Sequence, residues 1–437
     1  MDNKDKVHLP HSGLDYLSDE LRYLHWDGFP LKTLPQSFCA ENIVELIFPD
    51  SKIEKLWTGV QDLVHLRRMD LSGSPYLLEI PDLSMAENIE SINLKFCKSL
   101  IEVNPSIQYL TKLEVLQLSY CDNLRSLPSR IGSKVLRILD LYHCINVRIC
   151  PAISGNSPVL RKVKLGVTAI EELSSSIVQL KSLTHLDLGG TAIKELPSSI
   201  EHLKCLKHLD LSGTGIKELP ELPSSLTALD VNDCKSLQTL SRFNLRNFQE
   251  LNFANCFKLD QKKLMADVQC KIQSGEIKGE IFQIVLPESE IPPWFRDQNM
   301  GSSVTKKLPL NCHQLKGIAF CIVFASPTPL LSDCENFSCK CDARSDNGEH
   351  DHVKLLCYGL DPQPKAAVLK LDDSDHMLLW YESTRTGLPS EYSGSEVTFE
   401  FYNKMEHSKI KRCGVYFLFD KNRSSSCDED SSHQDDN

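Results

Sequence analysis

Leu183-Thr-His-Leu-Asp-Leu-Gly-Gly-Thr-Ala-Ile-Lys-Glu-Leu-Pro197 recurs almost unchanged as the stretch Leu206 to Pro220. Self-similarity at a short fixed period marks a repeat architecture. With the first apolar residue of each unit as marker, units start at residues 21, 43, 66, 89, 113, 136, 160, 183, 206, 226 and 248, at spacings of 20 to 24. The alternating positions of L-x-x-L-x-L point inward from a short strand, and a lone unit has nothing to bury them against. Stacked in parallel, the strands close one continuous core. The expected fold is a leucine-rich repeat solenoid, a parallel β horseshoe of about eleven repeats.

Three columns of this repeat carry further readings. The ninth position holds Cys97, Cys121, Cys144, Thr168, Thr191, Thr214, Cys234 and Cys256 in consecutive units. A small polar side chain turned inward there can satisfy backbone groups where the strand ends. One cysteine per turn argues against a metal or redox role. Units close on Leu34-Pro35, Ile80-Pro81, Leu127-Pro128, Leu196-Pro197 and Leu219-Pro220, which suits an irregular convex side where no ladder bond is lost. Short 3₁₀ turns are expected there at Pro105–Tyr109, Ser175–Gln179 and Ser198–His202. Positions three, five and seven face the concave sheet. The fifth-position column contains Asp70, Asp140, Asp187, Asp210 and Asp230, with Lys164 as its one fixed cation. Such a column suits a basic or polar partner, or serves only as soluble filler. Tyr23, Trp26, Phe29, Phe48 and Trp57 could anchor an interface, but Trp26 and Phe48 fall on inward sixth positions and read as core.

After Leu259 the repeat stops, and the polar stretch 260–280 reads as a connecting helix or linker. Strand character then returns at Phe282–Leu286, Ser303–Leu308, Gly317–Phe324, Val353–Tyr358, His376–Tyr381, Glu396–Phe401 and Cys413–Phe419. These runs, separated by Pro, Gly and Ser, predict an antiparallel β-sandwich domain. The expected division is a lead-in at 1–20, repeats at 21–259, a linker at 260–280, the sandwich at 281–420 and a disordered acidic tail at 421–437.

Bulk properties narrow the function. A formal net charge of -11 disfavours general binding to nucleic acid or anionic membranes. Met1 to Pro10 has no apolar core for a signal peptide, and the longest apolar stretch, Gly317 to Ala325, is half the length that crosses a bilayer. The seventeen cysteines form no dense framework, and only Asn336 and Asn422 are glycosylation sequons. A reducing compartment is expected: the cytoplasm, with the nucleus as an alternative.

Phe282-Gln-Ile-Val-Leu-Pro-Glu-Ser-Glu-Ile-Pro-Pro-Trp-Phe295, with Gly301-Ser-Ser-Val304 and Leu308-Pro309, resembles the C-terminal jelly-roll/Ig-like domain (C-JID) of plant TIR-NB-LRR disease resistance proteins. Ile410-Lys-Arg-Cys-Gly-Val-Tyr416 looks like its closing strand. The start, Leu21 to Pro35, and Ile53-Glu-Lys-Leu-Trp57 are similar to the first repeats of the same receptors, and the likeness covers about residues 9 to 419. The resemblance implies the sensing half of such a receptor, which contacts pathogen effectors and restrains a nucleotide switch. Such receptors carry a TIR domain that cleaves NAD+ and an NB-ARC domain. Neither the TIR region nor a G-x-x-x-x-G-K-[ST] loop is found here, so no cofactor and no catalysis are expected of this chain.

Other chemistry is weaker. Cys334-x4-Cys339-x-Cys341-x8-His350-x-His352-x4-Cys357 could hold zinc, yet its spacing matches no familiar module. The competing expectation is a long exposed loop with free thiols, so that Ser at Cys144 should disturb folding more than Ser at Cys334 or Cys339. No G-x-S-x-G elbow or H-E-x-x-H helix occurs. The expected partner is therefore a protein, a pathogen effector or the NB-ARC and TIR regions of a receptor. The candidate binding residues are Lys162, Lys164, His185, Asp187, His208 and Asp210 on the concave face, with Cys334 and His352 in the C-terminal domain. A scaffold or decoy, and a regulatory piece of an NAD+ nucleosidase receptor, are the alternatives.

Overall fold

The computed structural model describes residues 14–153, 158–240, 242–275, 277, 281–308, 310, 314–325, 337–344, 350–351, 374–383, 393–403 and 409–419. The chain divides into two compact units between Phe243 and Asn244.

Ten three-residue strands repeat along the first unit: β1 (Tyr23–His25), β2 (Glu45–Ile47), β3 (Arg68–Asp70), β4 (Ser91–Asn93), β5 (Val115–Gln117), β7 (Ile138–Asp140), β9 (Lys162–Lys164), β10 (His185–Asp187), β11 (His208–Asp210) and β12 (Ala228–Asp230). The two-residue strands β6 (Arg130–Ile131) and β8 (Ala152–Ile153) form a separate small pair. Successive long-sheet strands pair in parallel in fixed register, for example His185 with His208 and Asp187 with Asp210. The middle residue of every strand is buried, from Leu24 and Leu46 through Leu186 and Leu209 to Leu229. Register cannot slip by one residue without turning this apolar column to solvent.

The return side is mostly irregular, as the Leu-Pro endings require. Its 3₁₀ turns fall at Pro105–Tyr109, Ser175–Gln179 and Ser198–His202, the three expected positions. Asn104 and Ser174 cap the first two by accepting from the amides of Ser106 and Ser176. Ile107, Ile177 and Ile200 bury the inner face of the three turns. Phe29, Phe48 and Trp57 are core as well, while Tyr23 stands exposed.

The eleventh repeat strand, β13 (Glu250–Asn252), lies in the second unit, after a 3₁₀ turn at Leu245–Asn247. The stretch that follows contains helix α1 (Lys262–Ser274), ended by Gly275 in the left-handed region at φ 69°. Lys271 of α1 is buried and donates to the carbonyls of Leu245 and Phe248, both at 2.7 Å, with its ammonium 4.6 Å from the Phe282 ring centroid. The Leu245 carbonyl also accepts the Phe248 amide at 3.2 Å, so the ammonium shares it with the turn, and it gives the Phe248 carbonyl a donor.

The remaining strands are β14 (Ile281–Leu286), β15 (Asp297–Met300), β16 (Ser303–Lys307), β17 (Leu315–Ala325), β18 (Phe337–Arg344), β19 (His350–Asp351), β20 (His376–Ser383), β21 (Glu396–Asn403) and β22 (Lys409–Phe419). β14 pairs in parallel with β13 and antiparallel with β20, and the sheet continues through β17 and β22 to β15. β16, β21, β18 and β19 form a second antiparallel sheet. Ile318, Phe320, Ile322, Trp380 and Val415 of one sheet share a core with Phe337, Val397, Phe399 and Phe401 of the other. The sandwich expected from alternating strand runs is therefore present. Val353–Tyr358 and the acidic tail lie outside the described residues.

One expectation is overturned. Cys339 and Cys341 do not lie in an exposed loop: they occupy β18, two residues apart and on the same inward face, 4% and 1% exposed. Paired with Phe401 and Phe399 of β21, they belong to the aromatic core. The polar sequence around them hid a strand whose inward positions are Phe337, Cys339 and Cys341.

Candidate functional site

The sheet of the first unit presents positions three, five and seven on its open face. β9, β10 and β11 are neighbours, so Lys162 aligns with His185 and His208, and Lys164 with Asp187 and Asp210. Six of the predicted residues thus form one two-by-three patch. Both lysines are exposed, and the His185 and His208 rings stack at 4.4 Å with an interplanar angle of 13°. Cys334 and His352 lie outside the described residues.

The fifth-position carboxylates have a structural duty. Asp70, Asp140, Asp187, Asp210 and Asp230 each accept the amide two residues on, at 2.9 to 3.1 Å, and Asn93 does the same at 3.2 Å. This turn motif stops the strand, because the side chain supplies an acceptor that a further strand residue would otherwise need. The buried carboxylates Asp140 and Asp210 serve the turn first. Asp187 is half-buried beside Gly166, where an added Cβ would come within 2.5 Å of Asp187 Oδ1.

The eighth position was not singled out by sequence reasoning. In all ten turns of the unit it has left-handed backbone: Gly28, Asp50, Gly73, Phe96, Tyr120, His143, Val167, Gly190, Gly213 and Asp233, at φ between 54° and 69°. The conformation lets the amide extend the ladder past the strand, as in Phe96 to Ser119 O at 2.9 Å and His143 to Gly166 O at 2.8 Å. Gly and Asp accept this backbone readily, whereas Phe, Tyr and Val do so at a cost of roughly 1–2 kcal/mol each. Four consecutive turns nevertheless carry side chains there. Phe96 stacks on Tyr120 at 4.7 Å, and Tyr120 on His143 at 4.8 Å. Phe96 is 46% exposed at the open end of the ladder. Tyr142, at 5.6 Å from Tyr120, lies against Gly166. Burial above all, aided by Tyr120 and by the charges of Asp187, Asp210 and Asp140, pushes its hydroxyl up to about 12. Tyr142 therefore stays a neutral donor beside the acidic column. The missed signal is a column that is Gly, Asp or Asn in seven of eleven units and breaks to Phe, Tyr, His and Val in four adjacent ones.

The ninth position closes the edge from inside. Cys97, Cys121, Cys144 and Cys234 donate to carbonyls one turn back, at 3.0 to 3.2 Å, and Thr168, Thr191 and Thr214 to carbonyls of their own turn at 2.7 Å. Ser51 and Ser74 extend this buried column toward the N-terminus, their hydroxyls 2.7 Å apart.

Stacked parallel turns with this ladder define a leucine-rich repeat protein with a second, sandwich unit. Comparison with known proteins agrees: the leucine-rich repeat region model matches residues 120–270, a leucine rich repeat model 44–61, and the C-JID domain model 286–424. The chain is 30% identical to the disease resistance protein RML1A of Arabidopsis thaliana over 93% of its own length and 41% of that protein. With RPS4B of the same plant it shares 28% identity over 97% of this chain and 42% of that one. Among solved structures, the repeat domain of the type III effector XopL aligns with a TM-score of 0.34 and 22% identity, covering 57% of this chain and 74% of that one. The chain carries the leucine-rich repeat and C-JID domains, and its homologues are plant disease resistance proteins of TIR-NB-LRR type. It spans about two-fifths of the length of these two relatives. Among the described residues no helix is long and apolar enough to cross a membrane.

Proposed function

We propose that the chain is the protein-recognition module of a plant innate immune receptor, which senses a pathogen effector and performs no catalysis itself. The observation that carries this reading is the aromatic ladder Phe96–Tyr120–His143, held in left-handed backbone beside an open polar sheet. Backbone strain retained over consecutive turns is a mark of functional surfaces, and half-exposed aromatic rings are the usual anchors of protein interfaces. Lys162, Lys164, His185, Asp187, His208 and Asp210 lie on the following strands of the same sheet and supply polar contacts. Free thiols at every described cysteine suit work in a reducing compartment such as the cytoplasm.

The test is co-purification of the tagged chain from pathogen-challenged plant tissue, against a Phe96→Gly, Tyr120→Gly, His143→Gly triple variant. Glycine keeps the backbone conformation and removes only the rings. The expected result is a pathogen protein retained by the parent and lost from the variant. Equal retention by both, or none by either, overturns the reading. A scaffold or decoy would retain the effector without changing the defence response of the tissue.

A further inference from the structure

A cavity of about 370 Å³ opens in the second unit between α1 and the segment that precedes β15. That volume lies within the range of ligand pockets, roughly 300–1,000 Å³. Met265 and Ala266 of the helix, Ile291, Trp294 and Met377 of β20 give it apolar walls. Trp294 is held by Phe295 at 4.2 Å and by Tyr416 at 5.3 Å between ring centroids, so this wall is set before any ligand arrives. Two carboxylates, Glu288 and Glu290, line the same space. Arg412 engages Glu290 from outside at 3.0 Å. Glu288 is half-buried: burial pushes its carboxyl above the usual carboxylate range, and the like charge of Glu290 adds to this against the opposing Ser289 amide. Lys262 lines the cavity from the first turn of α1 but is exposed, and it is not among the charges that act on Glu288.

We propose that this cavity binds an arginine side chain of a protein partner, with the guanidinium facing Glu288 and Glu290 and the stem against Trp294 and the apolar walls. A long apolar stem with a cationic end matches walls of this composition. The planar guanidinium can serve two carboxylates and a ring, which a compact ammonium cannot. A neutral apolar side chain would fill the space but bury Glu288 further without a counter-charge. The site lies wholly in the second unit and does not rest on the repeat-face reading.

The experiment is titration of the full chain with N-acetyl-arginine methylamide and with its neutral isostere, N-acetyl-citrulline methylamide, followed by calorimetry or ligand-observed NMR. Saturable binding of the arginine probe is expected, with the citrulline probe at least about tenfold weaker. Glu288→Gln should weaken the arginine probe by a similar factor. Ala266→Trp, on an exposed helix position, should weaken it by narrowing the cavity, and serves if Glu288→Gln folds poorly. The Phe96→Gly, Tyr120→Gly, His143→Gly variant should bind the probe as the parent does, which separates failure of this site from failure of the repeat face. Equal affinity for both probes, no saturable binding, or full binding by Ala266→Trp would overturn the proposal.

Discussion

The Sγ of Cys144 donates to the carbonyl oxygen of Leu118, one turn earlier in the solenoid, at 3.0 Å. Thr191, in the same column, donates instead within its own turn, to Leu188 at 2.7 Å. The longer C–S bond lets cysteine reach the preceding turn, but serine also holds that post: Ser74 donates to Phe48 O at 3.2 Å. Cys144→Ser therefore has a partner waiting and is expected to cost no more than about 1 kcal/mol. Cys339 Sγ donates to Lys340 O at 3.7 Å, a span that suits sulfur and is too long for a hydroxyl on the shorter C–O bond, so Cys339→Ser weakens this bond within the aromatic core, at about 1–3 kcal/mol. The order expected from a loop position for Cys339 is thus reversed. Urea unfolding of the two variants, each unit followed by its own probe, checks it; a larger loss for Cys144→Ser would contradict it.

Thiol chemistry should separate the ladder from the surface. Burial pushes the thiols of Cys97 and Cys144 up to about 12 and that of Cys234 to about 11, while Cys205 and Cys270 are exposed. A group at 12 is a thiolate in roughly one molecule in ten thousand at pH 8, and the thiolate is the nucleophile. Iodoacetamide under native conditions should label Cys205 and Cys270 and leave the three ladder thiols unmodified until denaturant is added. Peptide mass spectrometry reads this directly, and early modification of Cys144 would show that the column is not closed.

The left-handed column gives a matched pair of substitutions. Val167 at φ 56° is a β-branched residue in a region that disfavours it, and Gly190 holds the next turn at φ 67°. Val167→Gly should relieve roughly 1–2 kcal/mol of strain against about 0.5–1 kcal/mol of added chain entropy, a small net gain. Gly190→Val should lose about 1–2 kcal/mol, since a Cβ there sits 3.3 Å from Val167 Cγ2. Tyr120→Gly relieves the same strain but loses two ring stacks of about 0.5–1.5 kcal/mol each, so it should come out less stable than Val167→Gly. Three denaturation midpoints decide the ranking.

Much of this was legible in the sequence, because a repeat states the same physics many times. The apolar alternation fixed the strand in every turn of the first unit, and the ninth-position column announced a buried polar group. The three 3₁₀ turns followed from polar or Pro-led stretches around Ile107, Ile177 and Ile200, whose isoleucines face inward. What escaped was written once or depended on partners. β18 reads as polar because Lys340 and Asp342 alternate with its inward cysteines. Lys271 sits in a stretch that reads only as polar, and its buried role depends on the carbonyls of Leu245 and Phe248, more than twenty residues earlier. The aromatic ladder was missed since single residues at 96, 120 and 143 become a stack only when the turns superpose.

The acidic column can be separated into its structural and its recognition roles. Asp187 and Asp210 are register partners on β10 and β11, and each accepts a turn amide through Oδ1, at 3.1 and 2.9 Å. Asparagine can make the same bond, as Asn93 does at 3.2 Å. The double change Asp187→Asn, Asp210→Asn removes two like charges from directly opposed positions and, with them, the charge opposite Lys164 on β9, two small effects of opposite sign. Its melting temperature should stay close to that of the parent, whereas Asp187→Ala, Asp210→Ala should lose about 1 kcal/mol per site. Binding should respond to charge alone. For an effector retained in the co-purification experiment, the asparagine pair should weaken binding, and the difference from the parent should shrink as salt is raised. Equal affinity of parent and asparagine variant at low salt would reduce the column to a strand-ending device and leave recognition to the aromatic edge.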